Sequence, residues 1–120
     1  MKAILFISLA GMCNAVMDVL FTRFGRSIFR RRNWYYWNPE FSWTNKWKEP
    51  GKEKFLFSST LLVFLTDGWH LFKALMIAFL ILAVVNYTPI FNLWVDAVIL
   101  YCTFTGTFTL FYDYILLEKL

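Results

Sequence analysis

The amino-acid sequence predicts an all-α, polytopic membrane protein with three transmembrane helices, and three observations lead to this fold class. Of its 120 residues, 59% are hydrophobic, 22% are aromatic and only 17% are charged. Soluble domains contain roughly 45–50% apolar and about 25% charged residues. The apolar residues occur in continuous runs rather than in the alternating pattern of strands. Three of these runs are close to the roughly 20 residues that a helix needs to cross a bilayer.

These runs define the domain organisation. The predicted spans are residues 3–22, 68–87 and 89–110, within a single transmembrane domain of residues 1–120. Each span contains a single Asp, Glu, Lys or Arg: Asp18, Lys73 and Asp96, in that order. The composition excludes a soluble enzyme, a disordered tail and a nucleic-acid-binding domain.

Turn and capping residues predict the ends of the second and third helices. Ser59 lies in a run of good N-cap residues after a predicted Pro50–Gly51 turn, so the second helix is expected to begin there and to continue to Asn86. Pro89 suits the first turn of a helix, because its missing N–H group has no intrahelical partner at that position. The third helix is therefore expected to begin at Pro89 and to run to the C-terminus.

The basic residues predict the orientation. Residues 23–54 contain nine Arg and Lys against three Glu, a net charge of +6, whereas the rest of the chain carries −2. Loops rich in Lys and Arg stay in the cytoplasm, so residues 23–57 are predicted to be a cytoplasmic loop, with the N-terminus outside and the C-terminus inside. An uncleaved first span is favoured over a signal peptide, because Asp18 continues the helical pattern.

The loop itself is rich in aromatic residues. Seven of the fifteen residues in 33–47 are Trp, Tyr or Phe, and such rings prefer the headgroup level of a bilayer. The segment is therefore predicted to lie along the membrane surface, with basic residues attracting anionic lipid. A nucleic-acid partner is not expected. The predicted lipid-contacting residues are Arg30, Arg31, Arg32, Trp34, Trp37, Trp43 and Trp47.

Polar side chains recur at helical spacing inside the apolar runs. Such groups are energetically costly within a bilayer, so each is expected to have a structural or functional role. Counted inward from the predicted outer reversal, five ionisable residues fall near the cytoplasmic boundary. The candidate polar cluster consists of Asp18, Asp67, His70, Lys73 and Asp113. One interpretation is structural, with carboxylates that pair with Lys73 or with an arginine at position 23 or 26.

Two functional hypotheses stand beside the structural one. Asp67 and His70 are three residues apart and share a helical face, as a metal or acid–base site requires, with Asp18 or Asp113 as a further ligand. The metal and any cofactor stay unknown at this level. Alternatively, Asp96 and Asp113 at the two ends of the third helix attract cations or relay protons in an oligomeric channel. The two cysteines predict neither a disulfide framework nor a zinc site.

Two strings in the chain are WNPEFSWTNKWK at residues 37–48 and SSTLLVFLTDGWHLF at residues 58–72. Together they resemble a group of small, uncharacterised bacterial integral membrane proteins that carry similar WNPxxSWxNKxK and SSTxLVFxTDxWH strings. The resemblance covers about a third of the chain and implies a bacterial inner-membrane setting, without an activity. Its positions to test first are Trp43, Asn45, Lys46, Asp67, Trp69 and His70.

The sequence thus leads to a functional expectation with two alternatives. Three helices with polar faces predict a homo-oligomer or a larger membrane complex, so the leading expectation is a small inner-membrane protein that acts through assembly and contacts membrane lipids. The alternatives are an ion- or proton-conducting channel and a metal-dependent enzyme that acts on a lipid headgroup through Asp67 and His70.

Overall fold

The computed structural model describes residues 2–30, 34–49, 52–58, 60 and 62–117, and it is mostly helical. Its helices are α1 (Lys2–Thr22), α2 (Trp34–Trp37), α3 (Pro39–Ser42), α4 (Gly68–Val85) and α5 (Leu93–Leu110), and α5 continues through a π-helical turn, Phe111–Ile115. In the described part of the chain, α1, α4 and extended α5 are each long and apolar enough to cross a membrane. A mainly helical fold with three helices of membrane-spanning length is therefore confirmed, with a small two-stranded hairpin in addition.

Helix α1 is the central element. It packs against both α4 and α5, whereas α4 and α5 make few contacts with each other. The apolar window of α1 is 44% buried, against 11% for α4 and 6% for α5. Small side chains permit this position, because they let two neighbouring helices approach the α1 backbone closely. The small buried residues of α1 are Ala3, Ala10, Gly11, Cys13 and Ala15.

The apolar core lies at the C-terminal end of α1. Val16, Val19 and Leu20 are buried there together with Leu116, which follows the π-helical turn. Aromatic rings from the loop and from both outer helices surround this cluster, and they include Phe29, Trp37, Trp69, Phe72, Phe108 and Tyr112. The apolar core of the described residues therefore lies at the C-terminal end of α1, where the loop to α4 begins.

The described parts of the connection between α1 and α4 contain short helices, turns and a small hairpin. A 3₁₀ turn at Phe24–Arg26 precedes Ser27, which forms an isolated antiparallel bridge with Leu117, and the backbone N–H of Ile28 donates to the Leu116 carbonyl at 2.9 Å. After α2 and α3, a small hairpin pairs β1 (Trp47–Glu49) with β2 (Lys52–Glu53) in antiparallel register. Arg31, Arg32, the Pro50–Gly51 turn and Ser59 lie outside the described residues.

The second membrane-length helix begins later than the sequence predicts. Instead of extending from Ser59, α4 starts at Gly68, and the described residues between 54 and 66 form turns and a short 3₁₀ helix. Asp67 lies inside the predicted helix but has an extended backbone, with φ −156° and ψ 159°, a conformation that a right-handed helix cannot contain. Asp67 is the N-cap residue, and its side chain accepts a hydrogen bond from the N–H of His70, so α4 begins directly after it.

The third membrane-length helix also begins later, at Leu93 rather than Pro89. Asn92 is its N-cap, and the Asn92 side chain accepts hydrogen bonds from the N–H groups of Trp94 and Val95 at 3.1 and 3.0 Å. Residues 87–92 form an irregular connection instead of a first helical turn. The Asn side chain is a stronger start signal than Pro because it satisfies two of the free N–H groups.

Gly11 permits the closest approach of α1 to α5. A Cβ atom at position 11 would lie 2.7 Å from the carbonyl oxygen of Phe104, whereas a Cβ atom at Gly106 of α5 would meet nothing within 4 Å. We predict that Gly11→Ala lowers the free energy of unfolding by about 1–3 kcal/mol, because the two backbones must separate. Reversible unfolding by SDS in mixed micelles, followed by circular dichroism, measures this change.

Gly106→Ala is the matched control, since it makes the same substitution in a helix without a clash. It is expected to leave the stability unchanged or to raise it by up to about 1 kcal/mol, because alanine favours helices over glycine. Equal stability of the two variants would contradict the close contact between Gly11 and Phe104.

Candidate functional site

The start of α4 is organised by the side chain of Asp67. Its carboxylate accepts a hydrogen bond from the backbone N–H of His70 at 2.7 Å, and its carbonyl oxygen accepts from the N–H of Leu71 at 3.1 Å. This N-cap arrangement provides an acceptor for an N–H group that has no partner within the helix. Asp67 is only 2% exposed, so the cap is shielded from water.

The same carboxylate orients the imidazole ring of His70. Nδ1 of the ring lies 2.7 Å from Oδ2 and 2.9 Å from Oδ1 of Asp67. A carboxylate only accepts hydrogen bonds, so Nδ1 carries the hydrogen and Nε2 of the neutral ring presents its lone pair. In the described part of the chain, these are the only hydrogen bonds of the ring, and 25% of the His70 side chain is exposed. An imidazole held in this way is suited to accept a proton or to bind a metal through Nε2.

Trp37 docks the aromatic loop on this site. Its ring lies so close to Gly68 that a Cβ atom at that position would collide with it. The ring also stacks on Phe29, with centroids 4.8 Å apart, and contacts Phe72 at 6.1 Å. Glycine at position 68 is therefore a condition for the loop to reach the first turn of α4.

Asn45 joins the loop to the residues before α4. Its side-chain amide donates to the carbonyl oxygens of Tyr35 and Thr66, the latter at 3.0 Å. The Thr66 hydroxyl in turn donates to the Val63 carbonyl at 2.6 Å. The two N–H groups of this amide thus connect Tyr35 of the loop with Thr66, which directly precedes Asp67.

The ionisation of Tyr36, a residue of the aromatic loop, depends on Asp67. Its partial burial raises the pKa of the phenol above the ordinary value of about 10, and the negative charge of Asp67 raises the pKa further. Both effects disfavour the phenolate. The hydroxyl of Tyr36 therefore keeps its proton under all physiological conditions.

The structure does not bring all five residues of the predicted polar cluster together. Asp113 pairs with Arg23, with Oδ1 and Nη1 3.1 Å apart, and the guanidinium also lies over the Tyr112 ring at 4.1 Å from its centroid. The ammonium of Lys73 lies 5.3 Å from the centroid of the Trp69 ring, within the range of a cation–π contact. The pairing with Arg23 is one of the contacts that the structural interpretation names.

A shared metal site does not form from these residues. Among the described residues, no three His, Cys, Asp or Glu side chains group in a way that could hold a metal ion. Asp113 is engaged with Arg23, and the half-buried carboxylate of Asp18 does not join Asp67 and His70 in such a group. In the part of the chain that the structure describes, Asp18 and Asp113 therefore do not complete a three-ligand group with Asp67 and His70.

Asp96 organises the opposite end of the helices. Its buried carboxylate accepts from the Tyr87 hydroxyl at 2.5 Å and from the backbone N–H groups of Ile90 and Phe91 at 3.0 and 3.1 Å. These contacts fix the connection between α4 and α5. Both acids of the channel hypothesis, Asp96 and Asp113, thus have partners within the chain.

The predicted lipid-contacting residues are only partly described. Trp37 lies against Gly68, Trp47 has the Lys46 ammonium 5.9 Å from its ring centroid, and Arg30 is half-buried with a contact of its own. The side chains of Trp34 and Trp43 lie outside the described part of the chain, as do Arg31 and Arg32. Trp37 is therefore a packing residue at least as much as a surface residue.

Two residues of these sites, Tyr36 and Tyr87, are not among the residues that the sequence predicts. Tyr36 belongs to the aromatic run, but nothing in its spacing relates it to Asp67, which is distant in the chain. Tyr87 precedes Asp96 by nine residues, and that short distance across a predicted reversal is a signal that the sequence does contain.

Comparison with protein-family models, with curated proteins and with solved structures finds no match to this chain.

Replacing Asp67 by asparagine tests the coupling with Tyr36. We predict that Asp67→Asn lowers the pKa of Tyr36, because the charge that disfavours the phenolate is removed, while burial keeps this pKa above its ordinary value. The pH dependence of tyrosinate absorbance measures the pKa, as the difference between each protein and its Tyr36→Phe counterpart.

Asp113→Asn is the control for this titration, because it removes a carboxylate that pairs with Arg23 instead. Because the pKa of Tyr36 is raised in the folded state, Tyr36 contributes stability below the ordinary tyrosine pKa of about 10, and this contribution is lost as the pH rises through the folded-state pKa. An unchanged Tyr36 titration in Asp67→Asn would contradict the coupling.

Proposed function

We propose that this chain is a small multi-pass protein of the bacterial inner membrane that acts through assembly with further copies of itself or within a larger membrane complex. Three helices of sufficient length and apolarity support the membrane location. The net charge of +6 between residues 23 and 54 supports a cytoplasmic loop, an outer N-terminus and an inner C-terminus.

The polar stripe of α1 carries this proposal. Gly11 and Thr22 lie on the face of α1 that meets α5, with Thr22 hydrogen-bonded to the Tyr112 hydroxyl at 3.0 Å. Asp18 lies between them at helical spacing, and Asn14 borders the same face. Both polar side chains are only half-buried.

The polar atoms of Asn14 and Asp18 reach the surface of the helices. No buried side-chain nitrogen or oxygen among the described residues lacks a hydrogen-bond partner, and neither side chain has a partner within that part of the chain. An amide and a carboxylate that face hydrocarbon are costly, and residues of this kind face other helices or water in membrane proteins. A second copy beside α1 and α5 would supply partners for both.

The outer helices support the same proposal more weakly. Most of the surface of α4 and α5 is uncovered, with large exposed side chains such as Ile81, Val84, Trp94 and Val98. Such surfaces fit lipid tails or further helices equally well. They make membrane lipids the expected partner wherever no second copy lies.

Variants of the polar stripe test assembly. We predict that the wild type self-associates in lipid bilayers and that the double variant Asn14→Leu with Asp18→Leu weakens self-association at least fivefold, because the partners of both polar groups are lost. Energy transfer between differently labelled copies, measured over a range of lipid-to-protein ratios, gives the association constant.

Thr103→Val is the matched control, since the Thr103 hydroxyl donates to the Ile99 carbonyl of its own helix at 2.8 Å. It also replaces a polar group in a span by an apolar one, and it is expected to leave self-association unchanged. A wild type that stays monomeric at every ratio would contradict assembly with further copies.

The Asp67–His70 pair favours a second candidate function, an enzyme that acts on a lipid headgroup. In this role, Nε2 of His70 accepts a proton from a water molecule as its oxygen attacks the headgroup phosphorus, the bond from phosphorus to the leaving alcohol oxygen breaks, and the imidazolium returns the proton to that oxygen, while Asp67 holds the ring and stabilises the imidazolium. The position of the pair at the first turn of α4 supports a substrate at the membrane surface. The pairing itself also serves to cap the helix, so this function ranks second.

Lipid products test the enzymatic candidate. If it is correct, proteoliposomes with mixed bacterial phospholipids form a new lipid product, and His70→Gln lowers the rate at least 100-fold, in line with the loss of a general base. Thin-layer chromatography and mass spectrometry of the lipids measure the rate. Lys73→Gln is the control on the same helix, and a wild type without any product would overturn this candidate.

A further inference from the structure

A polar pocket lies beside the start of α4, between the aromatic loop and the residues that lead into the helix. It has a volume of about 240 Å³, and its walls include Tyr35, Tyr36, Lys54 and Phe55. Thr66 forms a further part of the lining, directly before Asp67. The pocket therefore opens where the apolar helix ends, which is the level of lipid headgroups when α4 crosses a bilayer.

Hydrogen bonds hold the walls of this pocket in place. The Asn45 amide, which also lines it, connects the carbonyl oxygens of Tyr35 and Thr66 on opposite sides. The buried Ser58 hydroxyl donates to the Lys46 carbonyl at 2.6 Å and accepts from the Lys54 backbone N–H at 3.0 Å. A ligand therefore meets a site that is already formed, and binding does not have to order these segments.

Among the described residues that line the pocket, Lys54 alone carries a charge; Asp67, whose charge acts on Tyr36, is buried and does not belong to the lining. Lys54 is an exposed residue of the lining, and no acid in the described part of the chain pairs with its ammonium. The two described acids of the hairpin have other partners: Glu49 lies 3.4 Å from the Lys52 ammonium, and the Glu53 carboxylate accepts from the Phe57 N–H at 3.1 Å. An ammonium in this position attracts phosphate oxygens.

We propose that this pocket binds the phosphate group of an anionic phospholipid headgroup. Lys54 provides the charge for the phosphate, and the rings of Tyr35, Tyr36 and Phe55 pack against the glycerol part of the lipid. A choline headgroup fits less well, because its quaternary ammonium meets the like charge of Lys54. The site does not depend on self-association or on catalysis.

Native mass spectrometry of the detergent-solubilised full-length protein tests this binding, with short-chain phosphatidylglycerol as the probe and phosphatidylcholine as the comparison lipid. Lys54→Gln is expected to lower the affinity for phosphatidylglycerol about tenfold. Leu65→Trp, which fills the pocket from its lining without a change of charge, is expected to lower the affinity to a similar extent. Circular dichroism verifies that both variants retain the helices.

Two matched controls separate the pocket from general attraction to the basic loop. Lys48→Gln removes the same charge from an exposed residue of β1, and Leu56→Trp adds the same ring at an exposed position that does not line the pocket. Each is expected to change the affinity less than threefold. Equal losses for Lys48→Gln and Lys54→Gln, or binding unaffected by Leu65→Trp, would overturn the proposal.

The source of the phosphate is tested in the same experiment. Glycerol phosphate and inorganic phosphate carry the charge without acyl chains, and a membrane-level site is expected to bind both at least tenfold more weakly than phosphatidylglycerol. Equal affinity for the soluble phosphates would overturn the lipid assignment, as would tighter binding of phosphatidylcholine.

Discussion

Backbone N–H groups at the beginning of an apolar helix need acceptors, and this constraint determines the arrangement of both ends of the molecule. At the start of α4, the Asp67 carboxylate accepts from the backbone of His70 and also holds its ring. At the start of α5, Asn92 caps the helix, while Asp96 accepts from the connection before it. The apolar helices therefore begin where a polar side chain allows them to begin, and each cap also positions a neighbouring segment.

The caps explain why the candidate site and the helix packing are difficult to separate. Trp37 reaches Gly68 because the helix starts at that residue, and Asn45 ties the loop to Thr66 directly before the cap. The negative charge of Asp67 also raises the pKa of Tyr36, the loop residue next to Trp37. A substitution of Asp67 thus affects the helix start, the orientation of the His70 imidazole and the ionisation of the Tyr36 phenol together.

The sequence predicts the number and class of the membrane-length helices because composition and run length depend on transfer free energy, which adds along the chain. It predicts their starts poorly: Ser59 and Pro89 are good local signals, but Asp67 and Asn92 make the capping hydrogen bonds. Spacing within one helix correctly places Asp67 beside His70. Contacts between helices, such as that of Asp113 with Arg23, depend on rotation and depth that a single sequence does not encode.

The central position of α1 has a consequence for biosynthesis. This helix leaves the ribosome before its two neighbours, α4 and α5, which begin at Gly68 and Leu93. At about 5–20 residues per second, the first residue of α4 is made about 2–9 s after the last residue of α1. Through that interval the glycine, amide and carboxylate of the polar stripe have no neighbouring helix of the same chain. The close contact between Gly11 and Phe104 consequently forms only after α5 has been made, so α1 reaches its buried position late in translation.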